Sequence, residues 1–387
     1  MTASLRYFGV LLAKVFYALA VGALGAVQAA DTAAYDRAFK SGMKAKNIPG
    51  AAYAIVEMGE PLKTGVYGTR ARGKNLPITN DTVFRLASVS KTFSSSLVAM
   101  LVEEGQLDLN TKISPFAPAF QLKKRGHAEQ LELQHLLSHS VGLIPNAYDN
   151  MIEDGWDLPK ILPRFRRLSP VCAPGACYGY QNIAFSLVKP IVESTSDNSF
   201  ETLIEQRILT PLGMKNASIG LEGYLAKTDR AEPHVNTRRG WYKTKVKPNY
   251  YRLSPAAGVN ASISDMVKWV ESYLGWYPEV ISPAVIDMVT EKRIRTKREL
   301  YKRQWRPYLA DAHYGLGWRI YDFGDHEIIM HAGGVSGFRS IVSFSPELGV
   351  GLVILMNAES RIVDDLTAEF WEERFNELPK KGTVAAR

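Results

Sequence analysis

The sequence predicts an α+β fold: an antiparallel five-stranded sheet formed by both chain ends and flanked by helices, with a central, mostly helical lobe. Two observations carry this. Strand-like segments occur early, at Ala51 to Glu57 and Leu62 to Gly68, and return only late, at Gly317 to Asp322, Glu327 to His331, Phe338 to Phe344 and Val350 to Met356. Between them the apolar spacing is helical, with no alternation of strand and helix, which excludes a doubly wound parallel sheet. The sheet lobe is expected at about 31–85 and 310–378, and the helical lobe at about 86–309.

Each element has its own reason. Arg6 and Lys14 precede a short apolar run from Val15 to Val27, and Ala29-Ala30 follow, so residues 1–30 read as a cleaved signal peptide. The run is shorter than the ~20 residues that span a bilayer, so the mature protein is expected to be periplasmic or secreted. Thr32 to Lys46 has the pattern of an amphipathic helix, and Met58-Gly59-Glu60 is a turn between the first two strands. A helix from Ser88 to Glu104 is closed by Gly105. Leu131 to Ser138, Tyr180 to Ser194, Phe200 to Ile208 and Ser264 to Tyr273 follow with helical periodicity, and a last helix covers Arg361 to Glu377. Residues 379–387 form a basic tail.

Net charge is +8, with basic stretches at Arg238 to Lys247 and Lys292 to Arg306. Neither carries a nucleic-acid-binding motif, so a solvated basic face is expected, and weak contact with an anionic envelope surface is the alternative. Cys172 and Cys177 are the only cysteines and bracket a Pro-Gly turn. In an oxidising compartment they predict a short disulfide loop; two free thiols are the alternative. No metal or cofactor is expected. His135 and His139 have the i, i+4 spacing of helix-borne ligands but lack the intervening glutamate of a zinc-peptidase motif.

Ser88-Val89-Ser90-Lys91 is an S-x-x-K tetrad at a helix start. The i, i+3 spacing lets the amine reach the hydroxyl, and a desolvated lysine can take the proton that keeps serine a poor nucleophile. The same spacing recurs at Ser41 to Lys44 and Ser186 to Lys189, but inside helical patterns rather than after a strand.

Phe84 to Lys91 resembles the nucleophile block of class C β-lactamases and the related D,D-peptidases and esterases. Glu104 to Leu109, His135 to Leu143, Tyr180-Gln181-Asn182, Pro211 to Met214 and His331 to Gly334 match further blocks in order, from about Tyr35 to Glu377. Lys63-Thr64-Gly65 and Ser196-Asp197-Asn198 spell other motifs of such enzymes in the wrong place, and Tyr148-Asp149-Asn150 competes with Tyr180 as a Y-x-N block. Tyr180 is preferred because it follows Pro174-Gly175, as the family's second motif does.

The resemblance implies a β-lactamase/transpeptidase-like fold and an acyl-enzyme on Ser88, with Lys91 and Tyr180 sharing the proton and either one as base. It further implies that Asn182 holds a substrate amide, and that the N–H groups of Ser88 and Gly334 form an oxyanion hole. His331 and Gly333 head the third motif as substrate-binding residues, histidine replacing the lysine of true class C enzymes; the site there is expected to be open to solvent. The expected enzyme is a D,D-peptidase, amidase or esterase on small acyl substrates, including peptidoglycan fragments. A class C-like β-lactamase and a catalytically silent penicillin-binding sensor are the alternatives.

Overall fold

The computed structural model describes residues 32–378, so the signal expected at 1–30 and the tail expected at 379–387 lie outside the described residues. Its main sheet has eight antiparallel strands rather than five, in the order β2-β1-β13-β12-β11-β10-β9-β8. These are β1 (Gly50–Glu57), β2 (Lys63–Gly68), β8 (Ile294–Arg295), β9 (Leu309–Tyr314), β10 (Arg319–Phe323), β11 (His326–Val335), β12 (Phe338–Ser345) and β13 (Val350–Met356). Strands from the two ends of the chain meet one strand in from the β2 edge, where Ala51 stands opposite Met356. The extra strands lacked a sequence signal for physical reasons. β8 is two residues long, and β9 interleaves Asp311 and His313 with its apolar positions. β11 also runs past His331 through Ala332-Gly333-Gly334, because pairing with β12 overrides the poor strand propensity of glycine.

Four long helices complete the frame: α1 (Thr32–Ala45), α2 (Ser90–Glu103), α3 (Ile263–Tyr273) and α4 (Ile362–Asn376). Strand periodicity assigns the faces. Ala52, Ala54, Val353 and Leu355 join a core with α2 and α3, while Tyr53, Ile55, Ile354 and Trp371 join a second core under α1 and α4. Both faces of β1 and β13 are therefore covered, which explains their continuous apolar sequence.

The expected helix at Tyr180 to Ser194 divides into Asn182–Phe185 and Val188–Glu193, with Gln181 extended ahead of it. Phe200–Ile204 continues into a wider turn at Glu205–Leu209. α2 ends as expected at Gly105, whose φ of +72° suits a residue without a Cβ. A three-stranded sheet, with β3 (Phe84–Arg85) and β4 (Ser218–Ile219) either side of β7 (Val259–Ala261), carries the chain into α2, and β5 (His234–Thr237) pairs with β6 (Gly240–Lys243) in a separate hairpin.

Candidate active site

β3 pairs with β7, the Leu86 N–H donates to Val259 O, and a single tight turn at Ala87–Val89 enters α2. Ala87 has φ of +49°, a conformation that costs a non-glycine residue about 1–3 kcal/mol and persists only when its surroundings impose it. Between Thr82 and Leu101 every residue is buried except Ser88, which is partly exposed. The strained turn thus presents one hydroxyl to the cleft.

Lys91 lies one turn along and is fully buried. Its Nζ is 3.3 Å from Ser88 Oγ, 2.8 Å from Asn182 Oδ1 and 3.0 Å from Ala256 O. Burial drives its pKa well below the ordinary lysine value; Asp149 opposes that fall and Arg319 adds to it. A neutral amine has two N–H groups and a lone pair. With Asn182 Oδ1 and Ala256 O taking the N–H groups, the lone pair is left for the Ser88 hydroxyl.

Tyr180 sits on the other side of the amine, with its ring centre 4.8 Å from Lys91 Nζ. Burial pushes its phenol pKa up, against opposing effects from a hydrogen bond with Ser88 and from Arg319. The segment before it is laced to the Ser138–Leu143 block. Val171 N–H donates to Gly142 O, Gly175 N–H to Ser140 O and Gly179 N–H to His139 O, each at 2.8 Å. Cys172 and Cys177 are joined by a disulfide within this segment.

Ser88, Lys91, Tyr180 and Asn182 are therefore brought together. His331 is not placed as expected. It is 1% exposed, its Nε2 is 2.9 Å from the Tyr314 hydroxyl, and its Nδ1 is 2.9 Å from Ala332 O. Burial lowers its pKa well below the usual histidine value, with Arg319 and Lys91 adding to the effect, so the ring is neutral. The expected solvent-open position is corrected to a buried ring that braces β11. Gly333 likewise faces inward: a Cβ there would lie 2.1 Å from Leu86 O and 2.3 Å from Ser340 Oγ. The same Ser340 Oγ donates to Leu86 O at 2.6 Å, which fixes β11 and β12 against the Ser88 turn. Gly334, by contrast, is exposed.

The other motif matches serve structure. Lys63-Thr64-Gly65 lies on edge strand β2. Asn198 N–H donates to Ser196 Oγ in a turn, and Ser199 caps the next helix. Ser41 is exposed on α1, and Ser186 donates to Asn182 O at 2.9 Å. Tyr148 donates its hydroxyl to Arg164 O. His135 Nδ1 accepts the Glu132 N–H and His139 Nδ1 accepts the Gln181 N–H, so both rings serve the backbone.

Two residues escaped the sequence reading. Asp149, the middle of the rejected Tyr148-Asp149-Asn150, is buried and accepts the Asn182 amide at 2.6 Å; its Oδ1 is buried without a partner. Arg319 lies with its guanidinium 5.8 Å from the Tyr180 ring centre and 2.9 Å from Glu299 Oε1. A charge flanked by the apolar Trp318 and Ile320 was the available signal.

A family model described as Beta-lactamase matches residues 35–372. The chain is 25% identical over 324 residues to "Unguisins hydrolase ungD'" of Aspergillus campestris, covering 80% of this chain and 59% of that relative. It is 25% identical over 353 residues to a β-lactamase of Pseudomonas fluorescens, covering 81% and 90%. The octameric penicillin-binding protein homologue from Pyrococcus abyssi shares the fold at a TM-score of 0.78 and 24% identity, covering 90% of this chain and 79% of that one.

Proposed function

Since the chain belongs to the β-lactamase family, as the match over residues 35–372 establishes, we propose that it hydrolyses acyl substrates through a covalent intermediate on Ser88. The observation that carries this reading is the buried Lys91, directed at the one accessible hydroxyl by two fixed acceptors. Ser88 Oγ attacks the substrate carbonyl carbon while its proton passes to Lys91 Nζ. The N–H groups of Ser88 and Gly334 receive the oxyanion. Collapse breaks the bond to the leaving group, which takes a proton relayed through Tyr180. Water then attacks the acyl carbon with the same pair accepting its proton, and Ser88 is restored.

The opposed pKa shifts favour Lys91 as base and Tyr180 as acid. The two form one coupled unit. D-amino-acid peptides, including peptidoglycan fragments, are the first substrate class, then small esters, then β-lactams. The histidine in place of a lysine removes the fixed cation on which a β-lactam carboxylate would rest. The two curated relatives are named as hydrolases, which supports the reaction type. Export rests on the residue 1–30 pattern and is supported by the Cys172–Cys177 bridge. Weak attraction to an anionic envelope surface belongs to the same proposal.

The test incubates the mature protein with a fluorescent penicillin, a chromogenic ester and a D-Ala-D-Ala peptide, and maps the adduct by mass spectrometry. Acylated Ser88 is expected with at least one. No adduct and no turnover with all three would leave the silent-sensor alternative standing.

A further inference from the structure

A cleft of about 430 Å³ opens beside Gly334, lined among others by Arg85, Glu153, Lys247, Tyr250, Arg339 and Glu359. Its charges are unevenly satisfied. Glu359 accepts the Gly337 N–H at 2.6 Å, and Glu153 accepts the Tyr250 hydroxyl at 3.1 Å. The cations lack a carboxylate partner of their own. Arg85 is 4% exposed, lies 4.1 Å from the Tyr251 ring centre with a hydrogen bond to that residue, and leaves its buried Nε unpartnered. Arg339 donates only to the carbonyl of its neighbour Phe338, at 3.0 Å. Among the described residues, none of Arg85, Arg339 or Lys247 has a carboxylate within ion-pair distance.

Position gives these cations meaning. Arg85 is three residues before Ser88, and Arg339 is paired with Gly334 across the β11–β12 ladder. A Cβ on Gly334 would lie 2.6 Å from Arg339 Nη1, so the guanidinium lies against the glycine assigned to the oxyanion. Glu153 ends the short helix that begins with Asp149, the residue bonded to Asn182, so this wall of the cleft is continuous with the Asn182 side of the site. The resemblance assigns Asn182 to a substrate amide. Burial lowers the pKa of both guanidiniums, against opposing effects from Tyr251 and Tyr224 on Arg85 and from Glu359 and Asp364 on Arg339.

We propose that this cleft is an anion subsite for the acyl arm of the substrate, with Arg339 and Arg85 receiving a carboxylate. The inference rests on the serine-hydrolase reading and narrows its substrate class to acyl groups that end in an anion. A planar guanidinium suits a carboxylate, and desolvated charge-assisted hydrogen bonds are the strong ones.

The experiment uses the 4-nitrophenyl half-esters of succinate, glutarate and adipate, each beside its neutral terminal-carboxamide analogue. Acetate esters of 3-carboxyphenol and 3-carbamoylphenol place the charge on the leaving group instead. In Arg339→Gln, kcat/KM for the half-ester of best length should fall roughly 10- to 100-fold, mostly through KM. The carboxamide and both acetate esters should change less than about twofold, and Arg339→Lys should retain part of the preference. Equal losses on charged and neutral esters, no loss at any length, or a loss confined to the 3-carboxyphenyl ester each overturn the proposal. Calorimetry of glutarate binding to Ser88→Ala protein, with and without Arg339→Gln, reads the subsite without turnover. Binding abolished by Arg339→Gln in a protein that hydrolyses nothing would separate failure of the hydrolase reading from failure of the subsite.

Discussion

Asp149 Oδ2 accepts the Asn182 side-chain amide at 2.6 Å, and the same Asn182 turns its carbonyl to Lys91 Nζ at 2.8 Å. The carboxylate therefore acts on the base both through a hydrogen-bonded relay and through its charge. Asp149→Asn should lower the pKa of Lys91, because a negative charge that favours the ammonium is gone. The acid limb of the kcat/KM profile should then move to lower pH, with a loss of about 10-fold in kcat from a less firmly held Asn182. A profile that keeps its shape while activity falls would reduce Asp149 to packing.

Ser88→Ala should abolish turnover and covalent labelling while the thermal midpoint stays within a few degrees, since the hydroxyl is partly exposed. Ser41→Ala should be silent. Ser186→Ala should keep activity and lose about 1 kcal/mol, the net worth of its bond to Asn182 O. Labelling that survives Ser88→Ala moves the nucleophile elsewhere.

His331→Lys should not strengthen reaction with carboxylate substrates. It would add an ammonium to a buried space already facing Arg319 and Lys91, at a cost of several kcal/mol, and denaturant melts should show it. His331 and His139 both have folded pKa values well below the usual 6.5. The unfolded chain binds their protons first, so they favour unfolding as pH falls below about 6.5. Stability should begin to fall there, and His331→Asn should remove part of that slope.

Glu299 responds at lower pH. Burial alone would raise its pKa, but Arg319 and Lys302 outweigh that and hold it at about 2. A depressed carboxylate adds stability above its unfolded value near 4.5 and loses it as pH falls toward 2, about 3 kcal/mol in all. Glu299→Gln would leave Arg319 buried without its partner and should cost about 3–5 kcal/mol at neutral pH. An unchanged acid-unfolding midpoint in the variant would refute the pairing.

Thiol labelling of denatured, unreduced protein should find Cys172 and Cys177 blocked. Replacing both with serine should cost no more than about 2 kcal/mol, because a short loop restricts the unfolded chain little. A few-fold fall in kcat is expected as well, since the segment leads into Tyr180. Quantitative labelling without reductant would overturn both statements.

What the sequence made legible was local. Ser88 and Lys91 share a helix turn, Tyr180 and Asn182 share an extended dipeptide step, and Cys172 and Cys177 share a loop; each pairing is short enough to read as a pattern. Asp149 and Arg319 were missed because their partners are distant in the chain: Asn182 for one, Glu299 and Tyr180 for the other. Only folding makes those charges neighbours. His331 was misjudged for a related reason. Its motif position was readable, but its burial depends on Tyr314, contributed by a strand too mixed in polarity to be recognised.

The pairing of Ala51 with Met356 also has a consequence for how the protein is made. β1, buried at seven of its eight residues, leaves the ribosome long before the strand that covers its edge. Until β13 arrives, an apolar strand with free N–H and C=O groups is a template for the wrong partner. An exported chain would cross the membrane unfolded and avoid the interval, whereas a chain retained in a crowded cytosol would pass through it. Closure between such distant segments is also slow. Refolding from denaturant should therefore lag behind that of local-contact domains, and its yield should fall as protein concentration rises.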